Sequence, residues 1–319
     1  MSNVEAPDVI EERHVGAPAS VEPKRNKLAF WFLLPASVIL LAVMGYPIVK
    51  MVVLSLQEAK LKNITRGTES WNNFENYTKL FSDPFFWTVV WRTIVFTAVC
   101  VGATMLLGTL VALLLNKLGN KMRLTVLVGL LLAWATPAVT ATQTWQFLFD
   151  TQFGVVNWAL VSVGFEQFEG YSWLAQPLSL LSLAALIVVW AAIPFVALTL
   201  FAGLTQVPNE IYEAASLDGA GRWTQFWRLT VPQLAPIFLI LFALSTIWDF
   251  RVFTQIYILQ KSGGIARETD LLALYAYRTS FSANNFGVGA AIGVVMVLML
   301  LVFSVIYIRR MIKQIDEAS

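Results

Sequence analysis

A helix that crosses a bilayer needs about 20 consecutive apolar residues, and inside the hydrocarbon every backbone polar group must be satisfied within the spanning structure. Six stretches of this chain meet or approach that length: 28–56, 93–115, 124–149, 178–201, 233–259 and 288–308. They predict an all-α, polytopic membrane protein with six transmembrane helices. Composition agrees, since hydrophobic residues make up 57% of the chain and charged residues 13%, against about 45–50% and about 25% in soluble domains. The formal net charge of +2 is too small to point to nucleic acid, so charge matters here by position.

That position is informative. Lys24, Arg25 and Lys27 precede the first stretch, Lys117, Lys121 and Arg123 fill the second connector, and Arg309, Arg310 and Lys313 follow the last stretch. The connector 150–177 has no Lys or Arg and carries Asp150, Glu166 and Glu169. Basic residues favour cytoplasmic loops, so both termini are expected in the cytoplasm, with an even number of spans between them. Lys60, Lys62, Arg66 and Lys79 in one outer loop, and Lys261, Arg267 and Arg278 in another, dilute the asymmetry without reversing it. Residues 1–27 read as a disordered cytoplasmic tail. They are not a cleavable signal, because the apolar run after them starts too late and continues too far. Residues 28–313 form the membrane domain and 314–319 a short C-terminal tail.

Several chemistries are excluded. The one histidine, His14, lies in the tail and the one cysteine, Cys100, lies in an apolar run, so no histidine-based metal site or internal disulfide can form. No G-x-x-x-x-G-K-[ST] sequence is present, so the chain lacks a nucleotide-binding P-loop. No cofactor is expected in this chain, and no metal or catalytic residue.

The connector 205–232 is the most informative polar segment. It holds Glu213-Ala214-Ala215, then Asp218-Gly219, and nine residues after Gly219 it reaches Leu229-Thr230-Val231-Pro232. Pro208 suits a helix start and Glu210 places negative charge near the positive helix end. Ile211, Ala214 and Ala215 share one face, where small side chains let another backbone approach. Gly219 can take positive φ and end the helix. Beyond it, Trp223, Phe226 and Trp227 fall on one face beside Arg222 and Arg228, the pattern of a second helix lying in the membrane interface.

This spacing resembles the Glu-Ala-Ala loop of importer permeases driven by a separate ATPase. The run Trp248-Asp249-Phe250-Arg251-Val252-Phe253-Thr254-Gln255-Ile256-Tyr257, with Ser262-Gly263-Gly264 and Leu274-Tyr275-Ala276-Tyr277-Arg278, is similar to the fifth span and outer loop of carbohydrate-uptake permeases of the maltose-transporter first-permease type. Thr254 stands where such proteins often carry Asp, and Lys261-Ser262-Gly263-Gly264-Ile265 replaces their Thr-Gly-Gly-Gly-Pro loop. The likeness covers about residues 28–313. It implies the six-helix type I importer permease fold of a bacterial-type inner membrane, working by alternating access. It also implies a second permease, an ATP-binding cassette ATPase dimer that binds ATP and Mg, an extracytoplasmic binding protein and a sugar substrate. The coupling residues would be Glu213, Ala214, Ala215, Asp218, Gly219, Leu229 and Pro232.

Substrate-path candidates come from the spans. A sugar site combines aromatic rings with directional polar groups, which selects Trp134, Gln143, Trp145, Trp190, Trp248, Asp249 and Gln255, with Arg251 added as a charge inside a span. At a helix centre such a charge costs about 2.5–3.5 kcal/mol, so Asp249 and Arg251 are expected to face protein or water. One or both are expected to line the translocation path; the alternative is that Arg251 pairs with a carboxylate on the second permease or snorkels outward. Pro137 and Pro194 can bend their spans. Gly289 and Gly293 form a G-x-x-x-G that suits either a permease–permease contact or internal packing. An ion-coupled secondary transporter, or a permease for a non-carbohydrate solute such as a phosphorylated polyol, is the alternative reading. Asp249 alone gives the first thin support, because no internal repeat accompanies it.

Overall fold

The computed structural model describes the backbone of residues 27–318 and the side chains of residues 31–311. The expectation of a disordered tail at 1–27 lies almost wholly outside the described residues. Two compact units are distinguished, one ending at Val49 and one beginning at Lys50, and the account below concerns the second unless stated. Among the described residues five helices are long and apolar enough to cross a membrane: Trp31–Ser55, Pro84–Lys117, Pro177–Leu204, Arg222–Lys261 and Phe286–Met311. A sixth crossing requires Asn120–Trp134 and Ala138–Leu148 together, and these two are bent by 101°.

Local chemistry sets the boundaries. The second expected span begins earlier than hydropathy suggests, because Asp83 accepts a hydrogen bond from the Phe85 N–H at 2.9 Å and Pro84 occupies the first helical turn. The resulting helix of 34 residues is about 50 Å long, well beyond the hydrocarbon thickness. Trp87, Thr88 and Arg92 lower hydropathy in its first turns without interrupting it. The bend in the third span falls at Pro137, which lies just before Ala138–Leu148 with ψ 137° and cannot continue a helix there. Pro194, by contrast, is buried inside an unbroken Pro177–Leu204 helix.

The fifth span departs further from expectation. A single helix over 233–259 is predicted, but the structure has Val231–Asp249, an irregular turn through Phe250–Phe253, and then Thr254–Lys261. At its start Arg222–Gln225 passes through a wide turn, Phe226–Thr230, directly into Val231–Asp249, with αR dihedrals at both junctions. The expected separate interfacial helix is therefore the first turns of this segment. The last helix continues to Ala318. One departure from an all-helical chain is a two-stranded antiparallel pair, Gln57–Glu58 with Ser70–Trp71, in the loop after the first span.

Three buried clusters hold the second unit together. The first joins Phe96 and Cys100 to Leu183, Ile187, Ile256, Leu259 and Leu274, uniting four helical segments. The second packs Leu80, Phe86 and Val89 on Phe250, Leu272 and Ile292. The third, Ala112, Val196, Leu200, Leu234 and Leu241, closes the opposite end. Small residues permit the approach: a Cβ on Gly108 would sit 2.6 Å from Val196 Cγ1. Gly289 faces Ser280 and Gly293 faces Met51 Sδ, with no room for a Cβ at Gly289, so the G-x-x-x-G serves packing within this chain.

Candidate functional site

The connector between the fourth and fifth spans folds as the sequence implies. Asn209–Leu217 is a helix with Pro208 as its N-cap residue, Glu210 in its first turn and no buried residue. Gly219 adopts φ +79°, where an L side chain is strained. The Gly219 N–H donates to Ser216 O at 3.1 Å and the Ala220 N–H donates to Ala215 O at 2.9 Å, the paired bonds of a Schellman termination. Three contacts with no signal in the sequence fix this helix and its terminating turn in place. The Tyr212 and Thr230 hydroxyls lie 3.1 Å apart, and Gln225 Nε2 donates to Ser216 Oγ at 2.8 Å and to Ala220 O at 3.0 Å. Tyr212 belongs to the helix and Thr230 to the base of the fifth span, so this contact ties the two elements together.

What the helix presents outward is a mixed patch. Glu213, Ala214 and Asp218 are exposed, Ala215 is half-buried, and Leu217 is 90% exposed. Burying such a side chain against a partner is worth about 1.5–3 kcal/mol. Leu229 is half-buried in the wide turn and Pro232 lies exposed in the first turn of the following helix.

The path candidates separate into two groups. Trp145 and Trp190 come together edge-to-face with centroids 5.8 Å apart, and Trp145 also lies 6.0 Å from Phe149. Trp248 packs on Phe195 at 5.2 Å. Trp134 is 55% exposed and Gln143 is exposed, so neither joins this cluster. Gln255 is half-buried in the helix after the break. A second aromatic group, not selected from sequence, packs on the same core as Trp145: Phe253, Tyr257 and Tyr277 contact one another at 5.2–5.7 Å. Their spacing of four residues, Phe253 to Tyr257 and Tyr277 to Phe281, was the available signal.

Asp249 and Arg251 do not sit inside a continuous helix, as expected, but at the break. Asp249 ends Val231–Asp249, is buried, and has one carboxyl oxygen, Oδ2, with no hydrogen-bond partner. Arg251 is exposed and its Nε donates to Ile247 O at 3.2 Å. The two do not pair among the described residues.

A polar network joins the far end of the fifth span to the loop after it. Gln260 Nε2 donates to Asp270 Oδ1 at 3.1 Å and to Thr269 Oγ1 at 2.8 Å, and Arg278 donates to Gln260 Oε1 while its Nε lies 3.4 Å from Asp270 Oδ1. Arg92 Nη1 donates to Asp270 O at 2.9 Å, linking the loop to the second span. Burial pushes the Asp270 carboxyl above its ordinary range, and the Gln260 hydrogen bond and Arg278 charge oppose that rise. Among the described residues no cluster of His, Cys, Asp or Glu could hold a metal.

Residues 104–314, which include the whole Glu213 connector, match the family model described as binding-protein-dependent transport system inner membrane component. The chain belongs to this permease family. It is 39% identical over 303 residues to the diacetylchitobiose uptake system permease protein DasB of Streptomyces coelicolor, covering 95% of this chain and 92% of that one. It is 30% identical to the trehalose/maltose transport system permease protein MalF of Thermococcus litoralis, covering 90% and 94% respectively. Its fold is similar to a chain in the crystal structure of a bacterial ABC transporter involved in import of alginate, with a TM-score of 0.75 at 21% identity over 91% of this chain and 96% of that one. The permease is thus an inner-membrane transport component with the type I importer fold.

Proposed function

We propose that this permease forms half of the translocation path of an ATP-driven importer for a sugar, a mono- or oligosaccharide delivered by an extracytoplasmic binding protein. A second permease supplies the other half. A separate ATP-binding cassette dimer binds ATP and Mg and seats the Asn209–Leu217 helix. The observation that carries the reading is that helix itself: it buries none of its residues, yet hydrogen bonds from Tyr212 and Gln225 hold it to the fifth span. Closure of the ATPase pair would push on Glu213 and Leu217, and Tyr212 with Thr230 would carry the displacement into Val231–Asp249. The relatives named for diacetylchitobiose and trehalose/maltose uptake support a carbohydrate cargo. So does the half-buried wall of Trp145, Trp190 and Tyr257, whose faces suit sugar C–H surfaces.

At the helix break the buried Asp249 keeps an unpaired acceptor oxygen, which would meet a sugar hydroxyl once the break opens during the transport cycle. Trp248, beside it, supplies an apolar edge at the same level. The test is reconstitution of both permeases, the ATPase and the binding protein in vesicles, with diacetylchitobiose, maltose and a phosphorylated polyol offered in turn. A sugar should stimulate ATP hydrolysis and accumulate inside. Uptake driven by an ion gradient without ATP, or stimulation by the phosphorylated polyol alone, would overturn the reading.

A further inference from the structure

A groove of about 1240 Å³ lies between the last turns of Pro84–Lys117 and the opening turns of the fifth span. Its walls grade from polar to apolar along the helices. Lys117 and Arg222 stand at one end, Trp223 and Trp227 beside them, and Leu106, Leu110, Phe238 and Leu239 at the other. Lys117 ends one helix, Arg222 starts the other, and both side chains line the groove. Its lining contains no Asp or Glu, and neither cation has an ion-pair partner among the described residues. Leu106 and Leu110 are 63% and 55% exposed and Trp223 is 74% exposed, so the groove is open.

The dimensions fit one leaflet. From Leu106 to Lys117 the helix rises about 16 Å at 1.5 Å per residue, close to half of the roughly 30 Å hydrocarbon core. Indole rings favour the headgroup level, and basic grooves between helices at the cytoplasmic surface attract anionic headgroups. The lining also holds Thr109, Asn116, Thr205 and Asn209, and a free anion alone would leave the part lined by Leu106, Leu110 and Phe238 empty.

We propose that this groove is a binding site for an anionic glycerophospholipid of the inner leaflet, its phosphate held by Lys117 and Arg222 and an acyl chain laid along Leu106, Leu110 and Phe238. The site rests on the proposed cytoplasmic placement of the Glu213 connector, and it is independent of which solute is transported. Bound there, the lipid touches Tyr212 and Thr230, the pair that joins the Glu213 helix to the fifth span.

The experiment uses the assembled transporter in nanodiscs of phosphatidylcholine titrated with phosphatidylglycerol, with retained lipids counted by native mass spectrometry. The wild type should retain phosphatidylglycerol in preference to phosphatidylcholine. Charge removal by Lys117→Gln with Arg222→Gln should weaken that retention about 30-fold, from about 1 kcal/mol per basic residue. Filling the groove by Leu110→Trp, with both charges kept, should also expel the lipid. Leu110 is exposed, so this variant should fold. Equal phosphatidylglycerol retention in the wild type and the charge variant would overturn the proposal. So would displacement of the lipid by inorganic phosphate, which would make the site one for a free anion. High-yield cross-linking of Leu110→Cys to the second permease would show the groove to be a protein interface and would equally overturn it.

Discussion

Replacement of Leu217 by alanine isolates the coupling step from folding. In the free permease this side chain is 90% exposed, so its truncation should leave the thermal stability of the permease pair within about 0.5 kcal/mol, as for other surface substitutions. If Leu217 is buried in a cleft of the ATPase, Leu217→Ala removes three carbons from that contact. At about 0.8 kcal/mol per buried carbon the loss is about 2.4 kcal/mol, or roughly 50-fold in Kd for the ATPase. The assay is titration of fluorescent ATPase onto permease nanodiscs, run beside thermal unfolding of the same nanodiscs. A 50-fold loss of affinity at constant unfolding temperature is the expected pair of results. Unchanged affinity would refute the docking argument. A lowered unfolding temperature would refute the claim that Leu217 has no partner within its own chain.

Other perturbations follow from the same geometry. Gly219→Val places a β-branched residue at φ +79° and should cost about 1–2 kcal/mol locally; the expected readout is normal membrane insertion with lost sugar-stimulated ATP hydrolysis, and wild-type hydrolysis would count against the turn setting the helix. Arg278→Gln removes the partner of a buried carboxylate, and because Arg278 is 30% exposed the cost is discounted to about 1–3 kcal/mol at neutral pH. Burial already raises the folded-state affinity of Asp270 for a proton, so the neutral carboxyl contributes stability at low pH that is lost as pH rises through the raised value. The deficit of the variant should therefore shrink on acidification, and thermal unfolding across pH checks it; a pH-independent deficit would contradict the mechanism. Asp249→Asn relieves a buried carboxylate with an unpartnered oxygen. It should leave stability equal or higher while lowering vesicle uptake about tenfold through loss of a charge-assisted hydrogen bond, and unchanged uptake would remove Asp249 from the path.

Much of the coupling loop was legible because its signals are local. Pro208, Glu210 and Gly219 act on their own backbone within a turn or two, so a helix start, a dipole partner and a left-handed stop can be read directly from their order. The wide turn at Phe226–Thr230 was not legible, since its residues favour an ordinary helix and its register answers to the packing of Thr230 against Tyr212. Trp145 and Trp190 were selected by chemistry and do meet, whereas Trp134, chosen on the same grounds, lies exposed before the Pro137 bend.

Sequence by itself determined the membrane class, the approximate spans, the permease resemblance and the conformation at Gly219, because hydropathy, period and dihedral preference are properties of neighbouring residues. Tertiary structure alone decided that the fifth span breaks after Asp249, that Gly289 packs on Ser280, and that Gln260, Asp270 and Arg278 form one network tied to Arg92. Each joins groups whose partners lie on other turns or other helices, as Arg92 and Asp270 do across 178 positions. Burial forces such polar groups to find partners, but only the packing of whole helices determines which partner is within reach.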